Sequence, residues 1–169
     1  LIDLTPGEAD PYAELAAMLI KEEENREAID LLERAVKRVE EPEGLRRLLG
    51  ALYVEESDSA PAGRAAQYRR RAIDIFEQAI ENDPSDMSLF LQLGELYAIE
   101  GKLTKALDRF NWIEREAPQN LQLRQRLALS FLKSGTPEEL VTGLREQLDN
   151  SDRPSQIHYY LGEIELASG

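Results

Sequence analysis

Cysteine is absent from this sequence, and histidine and tryptophan each occur only once. The lack of cysteine excludes disulfide bonds and thiolate metal sites. The single histidine, His158, leaves no zinc cluster and no Cys/His catalytic pair. The G-x-S-x-G motif of a hydrolase nucleophile is missing as well. These absences predict a protein that is not an enzyme and that needs no cofactor or metal.

Long apolar runs are also lacking, since the best is the short ELAAMLI and a membrane span needs roughly 20 residues. Membrane insertion is therefore not expected. Basic residues are outnumbered, with 20 lysines and arginines against 33 acidic residues and a net charge of −13. Because nucleic-acid binding needs a basic footprint, no nucleic-acid partner is expected. The acidic surface either keeps a helical protein soluble or attracts a basic partner.

What the sequence does contain is an internal repeat. A leucine followed by a small residue recurs at spacings of 34, 44, 34 and 34 residues, at Leu15-Ala16, Leu49-Gly50, Leu93-Gly94, Leu127-Ala128 and Leu161-Gly162. A period of 34 is typical of a helix–turn–helix unit that stacks on copies of itself. The one longer spacing indicates a ten-residue insertion between Gly50 and Ala72.

The segment FLQLGELYAIEGKLTKALDRFNWIEREAP resembles a tetratricopeptide repeat. The residues at the family positions are Phe90 in the usual tryptophan slot, Leu93, Gly94, Tyr97, Ala106, Phe110 and Pro118. Other repeats depart from the pattern at Arg46, Arg124, Leu140 and Asp152. The resemblance implies an all-α fold, a right-handed superhelical solenoid of antiparallel helix pairs in which small residues let the backbones approach.

This register divides the whole chain. The expected segments are the end of a preceding repeat at 1–8, full repeats at 9–42, 43–86, 87–120 and 121–154, and the first helix of a partial fifth repeat at 155–169. Both ends are thus expected to lie inside a longer array. Because terminal repeats normally need a polar outer face, such ends predict end-to-end self-association, with Leu161, Ile164 and Leu166 left uncovered.

The insertion belongs to the second repeat, whose second helix is predicted to begin near Pro61 and to extend about two turns beyond its neighbours. Ser57, Asp58 and Ser59 are its candidate caps. The extended helix carries Tyr68 among Arg64, Arg69, Arg70 and Arg71. This pattern has two interpretations: a solvated face with ion pairs within the helix, or a surface for RNA or an acidic partner.

Two aromatic side chains have register positions that predict their surroundings. His158 falls in the bulky slot of Phe90 and Tyr12, so it is expected to pack in the core. Trp112 lies off the apolar stripe, and it is expected either to be partly exposed or to rest on a neighbouring repeat.

In this family the first helices line a concave groove that holds a segment of a partner. The resemblance therefore implies a non-catalytic protein–protein interaction scaffold that binds a peptide or helix. The alternative is a regulatory or substrate-recruiting arm of a larger enzyme. The lining residues carried over by register are Arg47, Leu48, Ala51, Val54, Leu91, Gln92, Glu95, Gln122, Gln125, Arg126, Leu129, Leu132, Tyr159 and Tyr160. Arg47 and Arg126 are expected to hold an acidic group, although the asparagines of the chaperone-tail clamp are missing.

Overall fold

The computed structural model describes residues 7–116, 128–130, 132, 137–149 and 151–168. Within these ranges the secondary structure is helical and no strand occurs. The helices are α1 Asp10–Lys21, α2 Asn25–Ala35, α3 Glu43–Ser59, α4 Ala62–Asn82, α5 Met87–Ile99, α6 Leu103–Glu116, α7 Pro137–Leu148 and α8 Pro154–Ser168. The predicted positions Pro118, Gln122, Arg124, Gln125 and Arg126 lie outside the described residues. The all-α prediction is confirmed.

The chain divides into two compact units, Leu1–Ser85 and Asp86–Gly169. In the first unit α1 packs on α2, α2 on α3, and α3 on α4. The turn between α1 and α2 closes through Glu23, which has a left-handed φ of 62°. The centre of this unit is filled by Leu32, Leu49 and Phe76, all of them buried.

In the second unit α5 packs on α6, α6 contacts α7, and α7 packs on α8. Asp86 caps α5, because its carboxylate accepts hydrogen bonds from the backbone N–H groups of Ser88 and Leu89. Gly101 lies in the connection between α5 and α6 and has a left-handed φ of 68°, a conformation that glycine adopts readily after the end of a helix. Tyr97 and Phe110 are fully buried between the helices.

Each unit contains one helix pair held together by a glycine facing a phenylalanine. A Cβ atom added to Gly50 would lie 2.2 Å from Cε1 of Phe76, and one added to Gly94 would lie 2.2 Å from Cε1 of Phe110. Real Cβ atoms do not approach so closely, so only glycine permits these helix separations. The sequence prediction that small residues bring the paired backbones together holds in both pairs.

The helices of the pair α3–α4 are long, at 17 and 21 residues, compared with 13 and 14 in α5 and α6. The predicted caps Ser57, Asp58 and Ser59 do not precede α4 but form the last turn of α3. Ser57 is buried there, and its hydroxyl donates a hydrogen bond of 2.7 Å to the carbonyl of Val54. The cap prediction was wrong because a serine hydroxyl also bonds backward to its own helix.

His158 is exposed, so the prediction that it packs in the core was wrong. The preceding residue, Ile157, takes the buried position in α8. Trp112 is half-buried, and its ring stacks on Phe90 of the paired helix with centroids 3.9 Å apart. It is therefore partly exposed, as expected, but it rests on its own helix pair.

Candidate partner-binding surfaces

The predicted binding residues of α3 lie on one accessible face of the helix. Arg47 and Ala51 are exposed, while Leu48 and Val54 are half-buried. Their spacings of one, four and seven residues place them along neighbouring turns of a helix. On the opposite side of the same helix, four apolar residues are buried in the core, namely Leu45, Leu49, Leu52 and Tyr53. The face thus combines small and apolar side chains with one cation, and the packing of the helix pair leaves it accessible.

Arg47 already has an acidic partner within the first unit. One of its terminal nitrogens lies 3.2 Å from Oδ2 of Asp83, and both side chains are well exposed. Hydrogen bonds from Ser85 lower the pKa of Asp83, and the charge of Arg47 lowers this pKa further. Asp83 is therefore ionised at neutral pH, and an acidic group of a partner must compete with it or share the guanidinium.

The predicted residues of α5 are less accessible. Leu91, Gln92 and Glu95 are all half-buried. The amide nitrogen of Gln92 donates a hydrogen bond of 3.2 Å to the hydroxyl of Ser88, one turn earlier on the helix. This bond orients the Gln92 side chain along the helix surface.

The remaining predicted residues have unequal exposure. Leu129 is 45% exposed and Leu132 is half-buried. Tyr159 is half-buried, but Tyr160 is fully buried, so Tyr160 is not available to a partner and its assignment to the groove is corrected. Gln122, Gln125 and Arg126 lie outside the described residues.

Tyr160 instead belongs to a buried polar network in the second unit. Its hydroxyl donates a 3.0 Å hydrogen bond to Oε1 of Glu114 and accepts a 2.8 Å bond from the amide of Gln156. Its ring lies edge-on to Phe110, with centroids 6.2 Å apart. Hydrogen bonds are electrostatically stronger in a buried environment than in water, so the network ties α8 to α6.

The sequence contained the signal for this burial. The inward residues of α8 follow a helical stripe, which consists of Ile157, Tyr160, Leu161 and Ile164. Leu161 and Ile164 are thus covered within the second unit, contrary to the expectation that they lack a covering helix. Leu166 is 80% exposed, as expected.

Sequence reasoning did not find a cleft in the first unit that is lined by arginines. The cleft has a volume of about 360 Å³ and lies between the start of α2 and the first half of α4. Its lining residues are Arg26, Arg64, Gln67, Tyr68 and Arg71. The sequence signal was the arginine run of α4, but Arg26 joins it only through the packing of α2.

Arg71 forms an ion pair between helices rather than within one. Its guanidinium lies 3.0 Å from Oε1 of Glu33 on α2, and it stands 5.8 Å from the ring centroid of Tyr53 on α3. The Tyr53 hydroxyl also donates a hydrogen bond to Glu33. Burial and this carboxylate raise the pKa of Tyr53 well above its usual value. The expectation of pairs within α4 does not hold for Arg71.

A search of the described residues finds no group of three or more histidine or acidic side chains arranged to hold a metal ion. Among the described helices, none combines the length and the apolar character that crossing a bilayer requires.

Comparisons with known proteins agree with this architecture. A family model described as a tetratricopeptide repeat matches residues 58–120. The matched segment has the sequence pattern of the tetratricopeptide-repeat family. The fold is similar to the crystal structure of a thermophilic TPR protein from Thermus thermophilus, with a TM-score of 0.59 and 21% identity. The match covers 96% of this chain and 84% of that one. No curated protein sequence matches.

Tetratricopeptide repeats generally mediate protein–protein interactions, and they are typically scaffolds without enzymatic activity. The predicted fold class, all-α with helix pairs of the tetratricopeptide-repeat type, is therefore confirmed. The similarity at 21% identity concerns the fold.

Proposed function

We propose that this protein is a non-catalytic scaffold that binds a peptide or helix segment of a partner protein on its first-helix faces. The observation that carries the proposal is the face of α3 formed by Arg47, Leu48, Ala51 and Val54. These side chains remain accessible although the same helix supplies four core residues. A helix that is apolar on its accessible side suits the capture of another apolar segment.

The chemistry of the proposed faces defines the segment. Ala51 leaves room for a partner's side chain, Leu48 and Val54 offer apolar contact, and Arg47 supplies a charge at the edge. The second unit has an exposed apolar side chain of its own at Leu129. The segment should therefore carry apolar anchors with an acidic group beside Arg47.

Binding measurements on surface variants test the proposal once a partner has been purified by affinity capture. Ala51→Glu adds bulk and negative charge at an exposed position, and Leu129→Asp removes an exposed apolar contact. Each should weaken binding at least about tenfold without loss of helicity. Arg70→Glu, on the exposed side of α4, is the control and should leave binding unchanged. Binding that depends on Arg70 and not on Ala51 would refute the proposed faces.

We also propose weak self-association through the end of α8, where Leu166 is 80% exposed. A large exposed leucine at a helix end is a ready apolar contact for a second copy. Light scattering over a concentration series should show a rising mean mass, and Leu166→Glu should abolish the rise. A mass that stays monomeric at every concentration contradicts this part of the proposal.

A further inference from the structure

The arginine-lined cleft of the first unit has a charge opposite to that of the whole chain. Three of its five lining residues are arginines, in a protein of net charge −13. Among the described residues, the side chains of Arg26 and Arg64 have no ion-pair or hydrogen-bonding partner, and both residues are exposed. Arginines held on a folded surface without acidic partners are available to bind an anionic group.

The two arginines on α4 are positioned differently. Arg71 is held in place by Glu33 and by the ring of Tyr53, and its pair with Glu33 uses only part of its five donor N–H groups. Arg64 lies seven residues earlier, about two helical turns, and so faces the same cleft. Tyr68, half-buried against Tyr53 with ring centroids 6.0 Å apart, forms the wall between them.

Arg26 marks the boundary of the basic region. On its other side lies an acidic cleft of about 300 Å³, which it shares with Glu23, Glu24, Glu27 and Glu56. These carboxylates repel an anion that approaches from that side. The favourable place for an anionic group is therefore beside Arg64 and Arg71.

A second cleft, of about 260 Å³, shares Arg71 with the first and lies farther along α4. Its apolar lining consists of Val36, Leu49, Tyr53 and Ile75, and its charged lining of Glu33, Lys37, Arg71 and Asp74. The α4 residues of the two clefts are centred about six positions apart, which is ~9 Å along a helix axis. An extended chain covers this distance in about three residues.

We propose that these two adjacent clefts, which share Arg71, bind an extended acidic segment of a partner protein. One carboxylate of the segment lies against Arg64 and Arg71, and an apolar side chain about three residues away lies over Tyr53 and Ile75. A protein segment fits better than RNA because the net charge of −13 repels a polyanion, whereas one or two carboxylates need only the local arginines. This site is separate from the α3 face of the proposed function.

Selection from a random displayed peptide library tests the proposal. Peptides retained by the unaltered chain should share an acidic and an apolar residue about three positions apart. Their binding, measured by fluorescence polarisation of a labelled selected peptide, should weaken at least about tenfold in Arg64→Ser. Arg70→Ser is the matched control, since Arg70 is exposed on the same helix and does not line the cleft. Its affinity should remain unchanged.

Three outcomes would overturn the proposal. One is a selection that yields no peptide whose binding depends on Arg64, and another is an equal loss in Arg70→Ser. The third is displacement of the bound peptide by a single-stranded oligouridylate, which would assign the cleft to RNA. Peptides that lose binding in Ala51→Glu but not in Arg64→Ser would report on the α3 face, so failure of one site can be distinguished from failure of the other.

Discussion

The helix pairs α3–α4 and α5–α6 make the same central contact across different lengths of chain. Gly50 faces Phe76 over 26 residues, whereas Gly94 faces Phe110 over 16. The difference of ten residues is distributed unequally. After its glycine, α3 continues for nine residues, whereas α5 continues for five. Before its phenylalanine, α4 has 14 residues, whereas α6 has seven. The connection after α3 is one residue shorter.

These additions of four and seven residues are close to one and two helical turns. Whole turns preserve the direction in which each side chain points, so the core contact is unchanged and the pair becomes longer at the end where the short connection joins the two helices. The close approach of the backbones is therefore a fixed requirement of the repeat, while helix length beyond it is free to vary. The added turns of α4 carry Arg64 and Tyr68, which line the basic cleft.

The largest effect is expected when the glycine–phenylalanine contact, which the two helix pairs share, is disturbed. Gly94→Ala places a Cβ atom against Phe110, which is fully buried and has no room to move. We expect a loss of ~3 kcal/mol in the free energy of unfolding, because overpacking outweighs the gain of ~1 kcal/mol in helix propensity. Urea denaturation followed by circular dichroism measures it. Gly50→Ala should cost a similar amount.

The control for this experiment is Gly162→Ala. Gly162 has the same repeat position in α8, but no atom lies within 4 Å of an added Cβ. Helix propensity then acts alone, and the substitution should stabilise the chain by up to ~1 kcal/mol. Equal effects at Gly94 and Gly162 would show that the glycine–phenylalanine contact is not the constraint that the two helix pairs share.

The next effect compares the tyrosines that tie each unit together. Tyr160→Phe removes the hydroxyl between Glu114 and Gln156 and leaves two buried polar groups short of a partner. We expect a loss of ~2 kcal/mol in the free energy of unfolding. Tyr53→Phe removes a hydroxyl bonded to Glu33, whose side chain is 36% exposed, so water replaces the lost bond and the loss should be ~1 kcal/mol.

The same denaturation experiments measure which of the two substitutions causes the larger loss in the free energy of unfolding. A larger loss for Tyr53→Phe than for Tyr160→Phe would mean that burial does not set the ranking.

The sequence predicted the core positions within a helix pair, but not the burial of residues that depend on a neighbouring helix. The repeat register identified Gly94, Tyr97, Ala106 and Phe110 as core residues, and all four are buried. Register alone was insufficient where burial depends on a neighbouring element. Phe90 is covered by Trp112 of α6, but the described residues include no helix after α8 to cover the equivalent His158.

The candidate sites were predictable to a smaller extent. The face of α3 follows from helical spacing, because Leu45, Leu49 and Leu52 occupy its buried side. The basic cleft does not, since it joins Arg26 to Arg64 through the packing of α2 beside α4. A sequence pattern describes one helix at a time, whereas a cleft depends on the contact between two.

A smaller effect is expected when the helix lengths, which differ between the two pairs, are made similar. Deletion of Glu56–Ser59 and Gly63–Tyr68 removes ten residues and leaves 13 residues in α3 and 15 in α4, close to the 13 and 14 of α5 and α6. Ser57 and Ala65, which are buried, are removed together, so we expect a fold that persists with a loss of ~1 kcal/mol in the free energy of unfolding. Circular dichroism and urea denaturation measure both. A shortened chain that fails to fold would show that the extension supports the core.

The smallest expected effect concerns pH and the environment of Tyr53. Burial and the carboxylate of Glu33 raise its pKa in the folded chain above the unfolded value of 10.0. Below pH 10 the neutral hydroxyl contributes its full stabilisation, and above pH 10 the unfolded chain ionises first, so this contribution is progressively lost. The difference in the free energy of unfolding between the unaltered chain and Tyr53→Phe should therefore be constant from pH 7 to about 9 and should shrink by pH 11. Urea denaturation at each pH measures that difference, and the effects of other tyrosines and lysines cancel because both chains contain them. If the difference in the free energy of unfolding stays constant to pH 11, the Tyr53 hydroxyl ionises as readily in the folded chain as in the unfolded one. The carboxylate of Glu33 would then not raise the pKa of Tyr53.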